Sequence, residues 1–178
     1  MPVSNATFQL VRERAIYVCE YCDVGESETR GLLTVDHYKP ESRGGSSDPN
    51  NLVYACFRCN LYKSARWHNS PDDVPIWNPR ESHRSEHMVE LPDGRMLALT
   101  DSGRVTITAL RLNRDLAVSA RLCSQQRDVR RATLLKLSDA ADAIAGLGTD
   151  RSGMSDTFLD DLREQLRLLR AIDDSSGE

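Results

Sequence analysis

Apolar residues fall into several short periodic segments in the first part of the chain. Residues 4–17 have apolar positions at helical spacing behind a capping serine or asparagine, which predicts a short amphipathic helix. The apolar and β-branched runs at 32–35 and 52–55 predict two strands, and the Gly-, Ser- and Pro-rich segment 40–49 predicts the loop between them. A second helix is predicted at about 59–67. The predicted order is therefore strand, loop, strand, helix.

The pattern changes after residues 71–87, a connector that contains three prolines. Residues 88–108 contain three short apolar or β-branched runs. These runs are separated by Asp93-Gly94 and Ser102-Gly103, which are typical of tight hairpin turns. The pattern predicts a small antiparallel β meander.

The C-terminal part is helical in composition. Residues 109–137 lack Gly and Pro, which favours one long helix or two. A last helix is predicted from Ser155 or Asp156, with an apolar stripe at three- and four-residue spacing made by Phe158, Leu159, Leu162, Leu166 and Leu169. The stripe favours an internal helical hairpin, and the alternative is a homodimer or a protein partner bound through these helices.

Four cysteines form two Cys-x-x-Cys pairs, Cys19/Cys22 and Cys56/Cys59. Each pair can deliver two thiolates to one metal, and four thiolates are a common ligand set for structural zinc. The alternative is two disulfides, which need an oxidising compartment. The N-terminal residues lack a signal-peptide pattern and no apolar run has membrane-spanning length, so we expect a cytoplasmic protein that does not bind a membrane. Zinc is therefore favoured over disulfides.

The net charge of -4 conceals an uneven distribution. Residues 137–178 hold four Lys/Arg against ten Asp/Glu, whereas residues 81–136 hold ten against seven. Within this part, residues 111–136 have seven basic side chains and only two acidic ones. This basic segment is the best electrostatic candidate for a surface that follows a phosphate backbone, although a solvated helix face explains the same pattern.

Residue types that phosphodiester hydrolysis uses occur near the cysteines: Asp36, His37, Asn51, Asn60 and Lys63. His37 can accept a proton from water near neutral pH. Asn51 is predicted to hold the His37 ring through its side-chain carbonyl. Asp36 and Asn60 offer hard oxygen ligands that suit Mg²⁺ or Mn²⁺. Because Asn60 and Lys63 are three positions apart, they share a face of the predicted helix.

The spacing of these residues resembles that of the HNH endonuclease family, on the motifs Cys19-x-x-Cys22, Thr34-Val35-Asp36-His37-Tyr38-x-Pro40 and Asn51-Leu52-Val53-x-Ala55-Cys56-x-x-Cys59-Asn60-x-x-Lys63. The resemblance implies a ββα-metal fold in which His37 is the general base, Asn51 the central Asn and Asn60 a metal ligand. It also implies that Asp36 is the acidic metal ligand and that Lys63 lies near the phosphate. Asn60 stands where the family name has its second His, so the chain has a His-Asn-Asn form.

The predicted fold is α+β, with a zinc-stabilised ββα-metal core at 1–70, a connector at 71–87, a β meander with C-terminal helices at 88–172 and a tail at 173–178. The expected function is metal-dependent hydrolysis of phosphodiester bonds in DNA, with structural zinc and catalytic Mg²⁺ or Mn²⁺. The alternative is a catalytically inactive, zinc-bound nucleic-acid-binding or adaptor module. The residues predicted to contact nucleic acid are Arg43, Arg58, Lys63, Arg66, Arg121, Arg127, Arg130 and Arg131.

Overall fold

The structure is a computed structural model that describes residues 3–67, 70, 73–146, 161, 164, 165, 167 and 168. The chain divides into two units, Met1–Leu122 and Cys123–Glu178. The described residues form a mixed α/β structure with two small antiparallel sheets and several helices. In this described part, no helix has both the length and the apolar character needed to cross a membrane.

Helix α1 (Asn5–Arg14) is the predicted amphipathic helix. The side chain of Ser4 caps it by accepting a hydrogen bond from the Thr7 amide at 3.1 Å. The helix ends before residue 17 because Ile16 and Tyr17 adopt positive φ angles of 51° and 61°. A further short helix, α2 (Glu26–Thr29), was not predicted from the sequence.

The predicted order of strand, loop, strand and helix is confirmed. Strand β1 (Thr34–His37) pairs antiparallel with β2 (Leu52–Ala55), and His37 lies opposite Leu52. All four residues of β2 are buried. Helix α3 (Phe57–Lys63) follows and is shorter than predicted, because Ser64 after it has a positive φ of 49°. The sequence between the strands is a loop with two 3-10 turns, Glu41–Arg43 and Pro49–Asn51.

The first hairpin of the predicted meander is also confirmed. Strand β3 (Met88–Glu90) pairs antiparallel with β4 (Met96–Ala98). Gly94 in the connecting turn has a φ of 76°, and its amide donates to the Leu91 carbonyl at 2.9 Å. A glycine accepts this left-handed conformation without a steric cost, which is why Asp93-Gly94 forms the turn.

The predicted third strand of the meander is wrong, because these residues form helix α4 (Asp101–Ala109). Thr100 caps the helix by accepting a hydrogen bond from the Gly103 amide at 3.1 Å. A Cβ atom at Gly103 would lie 1.9 Å from the His87 carbonyl oxygen. The glycine thus allows a close backbone approach and does not form a hairpin turn.

Helix α5 spans Asp115–Gly146 and accounts for most of the helical region predicted at 109–137. Arg111, between α4 and α5, has a positive φ of 50°, so the predicted region contains a break followed by one long helix. The leucine stripe of the predicted last helix lies outside the described residues, as does the predicted tail.

A single hydrophobic core runs through the first unit, from Val11 on α1 to Ala120 on α5. The Trp77 ring packs edge-on against Tyr21, with ring centroids 6.4 Å apart. The Trp77 amide donates to Thr106 Oγ1 of α4 at 2.6 Å. The connector residue Trp77 therefore contacts both the cysteine-containing segment and α4 in one unit, while the predicted domain boundaries near 70 and 88 stay a prediction.

Candidate functional site

The four cysteines of the two Cys-x-x-Cys pairs converge on one point in the core. Their Sγ atoms lie within 4.8 Å of one another, and all four residues are buried. Cys22 Sγ lies 3.6 Å from Cys56 Sγ, and no disulfide joins the cysteines. Four sulfurs that surround one zinc ion at about 2.3 Å are about 3.8 Å apart. The donor set and its spacing therefore fit a structural zinc ion.

Local backbone hydrogen bonds shape each cysteine turn. In the first turn, the Cys19 amide donates to the Val24 carbonyl at 2.9 Å and the Asp23 amide donates to the Cys19 carbonyl at 3.0 Å. In the second turn, Cys56 is the N-cap of α3, and its sulfur accepts a hydrogen bond from the Cys59 amide at 3.5 Å. The second cysteine pair therefore fixes the start of the helix that carries Asn60 and Lys63.

His37 lies at the end of β1, and its imidazole contacts the loop that follows. Its Nε2 atom lies 3.0 Å from Ser47 Oγ and 3.8 Å from Glu41 Oε1. The ring is only partly exposed, with 16% of the side-chain surface accessible. The Ser47 hydroxyl thus contacts one ring nitrogen and helps to fix the orientation of the imidazole.

Asn51 does not hold the His37 ring as the sequence reasoning predicted. Its Oδ1 accepts a hydrogen bond from the Lys39 amide at 2.9 Å, and its Nδ2 donates to the Lys39 and Ser46 carbonyls at 3.0 and 2.7 Å. The side-chain amide is thus occupied by backbone groups of the 39–46 loop. Asn51 fixes this loop, and the loop in turn presents Ser47 to the imidazole.

Asp36 and Lys63 form a buried ion pair between β1 and α3. Lys63 Nζ lies 3.0 Å from Asp36 Oδ2 and donates to the His37 carbonyl at 2.6 Å. The Lys63 side chain has no exposed surface, so the predicted contact with a phosphate is not formed in this arrangement. Burial raises the pKa of Asp36, and the Lys63 ammonium acts in the opposite direction. Asp36 Oδ2 thus already contacts the ammonium, and any further ligand of this buried oxygen would share it with Lys63.

Asn60 lies on the face of α3 that packs against β1. Its Nδ2 atom donates to Thr34 Oγ1 at 3.3 Å. Thr34 and Asp36 are two positions apart on β1, so their side chains leave the strand on the same face. The structure therefore brings Asn60, Asp36 and Lys63 to one face of the strand, whereas the neighbouring His37 ring contacts the loop.

Three of the predicted nucleic-acid contacts, Arg43, Lys63 and Arg66, line one cleft beside α3. This cleft has a volume of about 380 Å³ and is lined by Arg43, Tyr62, Lys63, Ser64, Ala65, Arg66 and Trp67. Arg66 and Trp67 also line a second cleft of about 330 Å³, with Tyr38 and residues 73–76. Lys39 Nζ lies 5.6 Å from the centre of the Trp67 ring. Cations and aromatic rings are thus concentrated next to the strand end that carries His37.

Arg121 must be removed from the predicted nucleic-acid contacts, because its guanidinium is buried. It donates to the carbonyls of Gly94, Leu112 and Cys22 at 2.6, 2.7 and 3.1 Å. By contrast, four of the other predicted contacts are exposed: Arg58 on α3, and Arg127, Arg130 and Arg131 on α5. Their role toward nucleic acid stays a prediction.

Sequence reasoning missed two side chains that contact the site, Ser47 and Arg114. Ser47 was recognised only as part of a polar loop. The Nη2 atom of Arg114 lies within 3.6 Å of three of the four cysteine sulfurs. Both contacts join positions that are distant in sequence, and no local pattern in a single sequence encodes such a pairing.

Comparison with known proteins supports the resemblance. Residues 19–66 match the family model described as HNH endonuclease. This match covers both cysteine pairs and every residue between them. Searches of curated proteins and of solved structures found no significant match.

Proposed function

We propose that this protein, whose residues 19–66 form an HNH endonuclease domain, is a metal-dependent endonuclease that hydrolyses phosphodiester bonds in DNA. The observation that carries the proposal is that the residues of the family match are also the residues that form the site. That module contains the four-cysteine cluster, His37 at the end of β1, and Asn60 on α3. We assign it the ββα-metal fold, with β1, β2 and α3 as its elements.

His37 is the general base in this proposal. Its imidazole accepts the proton of the attacking water, which requires a neutral ring with a fixed orientation. The Ser47 contact at 3.0 Å supports this orientation. Asn51 acts one step further away, since it holds the loop that carries Ser47.

Asp36 and Asn60 are the proposed ligands of the catalytic cation. One carboxylate oxygen and one amide oxygen are hard donors, which fit Mg²⁺ or Mn²⁺ better than a soft metal. Asp36 and Asn60 lie on one face of β1, which supports the fit, and the cation would share the Asp36 carboxylate with the Lys63 ammonium, which lies 3.0 Å from Oδ2. When bound there, such a cation would stabilise the negative charge that develops on the leaving oxygen. Lys63 opposes the effect of burial on the pKa of Asp36, and it fixes the end of β1 through the His37 carbonyl.

The nucleic-acid backbone is proposed to lie along the cleft beside α3. Arg43 and Arg66 are exposed and line this cleft together, so they can pair with successive phosphates. Trp67 offers an aromatic surface next to them. Arg58 on the exposed side of α3, and Arg127, Arg130 and Arg131 on α5, are additional proposed phosphate contacts.

The deciding experiment is plasmid cleavage by the full-length protein with Mg²⁺, with Mn²⁺ and with no added metal. We expect cleavage only with metal, and we expect His37→Ala to lower the rate by about 10²- to 10⁴-fold. His83→Ala, which changes an exposed histidine outside the family match, is the matched control and should cleave normally. Zinc content and circular dichroism should be the same in both variants. Wild-type cleavage by His37→Ala would eliminate the proposed base.

An alternative function is supported by the Asp36–Lys63 ion pair. Because the ammonium already neutralises the buried Asp36, a catalytic cation must share that carboxylate with Lys63. If the cation cannot do so, the domain is a zinc-bound module that binds nucleic acid without cutting it. This alternative predicts salt-sensitive DNA binding with no cleavage in any divalent metal.

A further inference from the structure

The strongest feature that the proposed function leaves unexplained is the contact between Arg114 and the cysteine cluster. Arg114 Nη2 lies 3.0 Å from Cys22 Sγ, 3.2 Å from Cys56 Sγ and 3.6 Å from Cys59 Sγ. One guanidinium nitrogen thus contacts three of the four sulfurs. Arg114 is 92 positions from Cys22 in the sequence, and it lies outside the residues of the family match.

The residues just before α5 hold the guanidinium in this position. Arg114 Nη1 lies 3.4 Å from the Leu110 carbonyl oxygen and 3.3 Å from the Arg111 carbonyl oxygen. The Arg114 carbonyl in turn accepts hydrogen bonds from the Ala117 and Val118 amides, both at 3.0 Å, in the first turn of α5. The side chain that contacts the sulfurs therefore belongs to the residue at which α5 starts.

Arg121, seven positions further along α5, contacts the same cysteine turn from the backbone side. It donates to the Cys22 carbonyl at 3.1 Å, while Arg114 contacts the Cys22 sulfur. Its other two hydrogen bonds go to the Gly94 carbonyl in the β3–β4 turn and to the Leu112 carbonyl. Arg114 thus contacts the side chain of Cys22, and Arg121 contacts its backbone carbonyl. The two arginines connect this cysteine to the hairpin and to the start of α5.

The charges of the site explain why a guanidinium is favourable there. Four thiolates and one Zn²⁺ carry a net charge of -2, and all four cysteines are buried. A buried negative charge is costly unless a nearby positive group compensates for it. Arginine donates several hydrogen bonds in a fixed planar geometry and stays protonated, so it suits a cluster of sulfur acceptors better than lysine does.

We propose that Arg114 is a positioning residue of the zinc site and that, together with Arg121, it couples zinc binding to the folding of residues 88–122. In this view the hairpin and the start of α5 form the outer layer of the zinc site. Residues 88–122 therefore stabilise the bound zinc, and the zinc stabilises the fold of residues 88–122.

The first test is the zinc affinity of the full-length protein, measured by competition with a chromophoric chelator. Outer-layer partners of metal ligands typically change metal affinity about 10- to 100-fold, and we expect Arg114→Met to bind zinc more weakly by that factor. Arg104→Met is the matched control, since it removes an equal charge from an exposed i,i+3 ion pair on α4. This control should bind zinc like the wild type.

The Arg114→Lys variant keeps the positive charge. It provides a second measurement in case Arg114→Met does not fold. We expect its zinc affinity to lie between those of Arg114→Met and the wild type, since an ammonium cannot reach three sulfurs in the same geometry. If Arg114→Met does not fold even with excess zinc, the zinc affinity of Arg114→Lys is the deciding measurement. The proposal is then overturned if Arg114→Lys binds zinc as tightly as Arg104→Met does. If Arg114→Met folds and binds zinc as tightly as the wild type, or more tightly, the proposal is also overturned.

The second test measures whether bound zinc stabilises the fold of residues 88–122. Zinc is removed from the wild-type protein by a chelator, and amide hydrogen exchange is followed in β3, β4 and the first turn of α5. We expect these amides to lose protection together with α3. Unchanged protection of residues 88–122 after zinc removal would refute the coupling, whatever the nuclease activity of the protein.

Discussion

Replacing Arg121 by Met tests whether this residue is structural or contacts nucleic acid. The Arg121 residue is 1% exposed and donates to three carbonyls from three separate segments. Met has a similar length but no donor, so all three carbonyls lose this partner. Each buried acceptor that is left unsatisfied costs about 1–3 kcal/mol, and part of this is offset because a buried cation is removed. We therefore expect Arg121→Met to lower the free energy of unfolding by about 4 kcal/mol.

The measurement is urea unfolding of the zinc-loaded protein, followed by circular dichroism. Arg104→Met serves as the control, and we expect it to change the free energy of unfolding by only about 0–1 kcal/mol, because its ion pair is exposed. Arg121→Met and Arg104→Met each remove one positive charge. We therefore expect the two folded variants to bind DNA with the same affinity. A stable Arg121→Met protein, within about 1 kcal/mol of the wild type, that has lost DNA affinity would refute the structural assignment.

Three further predictions concern the loop, the cleft and α4. Asn51→Ala frees the loop that presents Ser47, so we expect plasmid cleavage to be about 10- to 100-fold slower with unchanged zinc content; an unaltered rate would contradict the positioning role. Arg43→Ala and Arg66→Ala should each weaken DNA binding and reduce the salt dependence by about one phosphate contact, as measured by fluorescence anisotropy at several salt concentrations. Gly103→Ala places a Cβ 1.9 Å from the His87 oxygen and should cost at least about 2 kcal/mol in thermal unfolding. Gly31→Ala is its control and should be nearly neutral, because a Cβ at Gly31 meets nothing within 4 Å.

The elements whose signals are local could be predicted from the sequence. The capping Ser4 and the helical spacing behind it predicted α1, and the β-branched runs on either side of the loop predicted β1 and β2. The spacing of the four cysteines was sufficient to predict a zinc site, because two Cys-x-x-Cys turns can deliver four thiolates to one metal.

The error at α4 shows how one dipeptide can have two meanings. Ser102-Gly103, like Asp93-Gly94, is a dipeptide typical of tight hairpin turns, and it therefore predicts a third strand. In the structure, Gly103 lies in the first turn of a helix that Thr100 caps. A residue without a Cβ is needed there because the His87 backbone passes close to this position. The capping threonine was the local signal that should have decided for a helix.

The basic segment 111–136 shows why charge counts along a sequence cannot locate a nucleic-acid surface. Arg114 and Arg121 point into the first unit, where they contact sulfurs and carbonyls, so they cannot pair with phosphates in this arrangement. Arg43 and Arg66 belong to a part of the sequence with no excess of positive charge, yet folding places them in one cleft beside α3. Lys63, which also lines this cleft, donates to the His37 carbonyl. The proposed phosphate-binding surface is therefore formed by α3 and the loop after β1, whereas Arg114 at the start of the basic segment contacts the cysteine cluster.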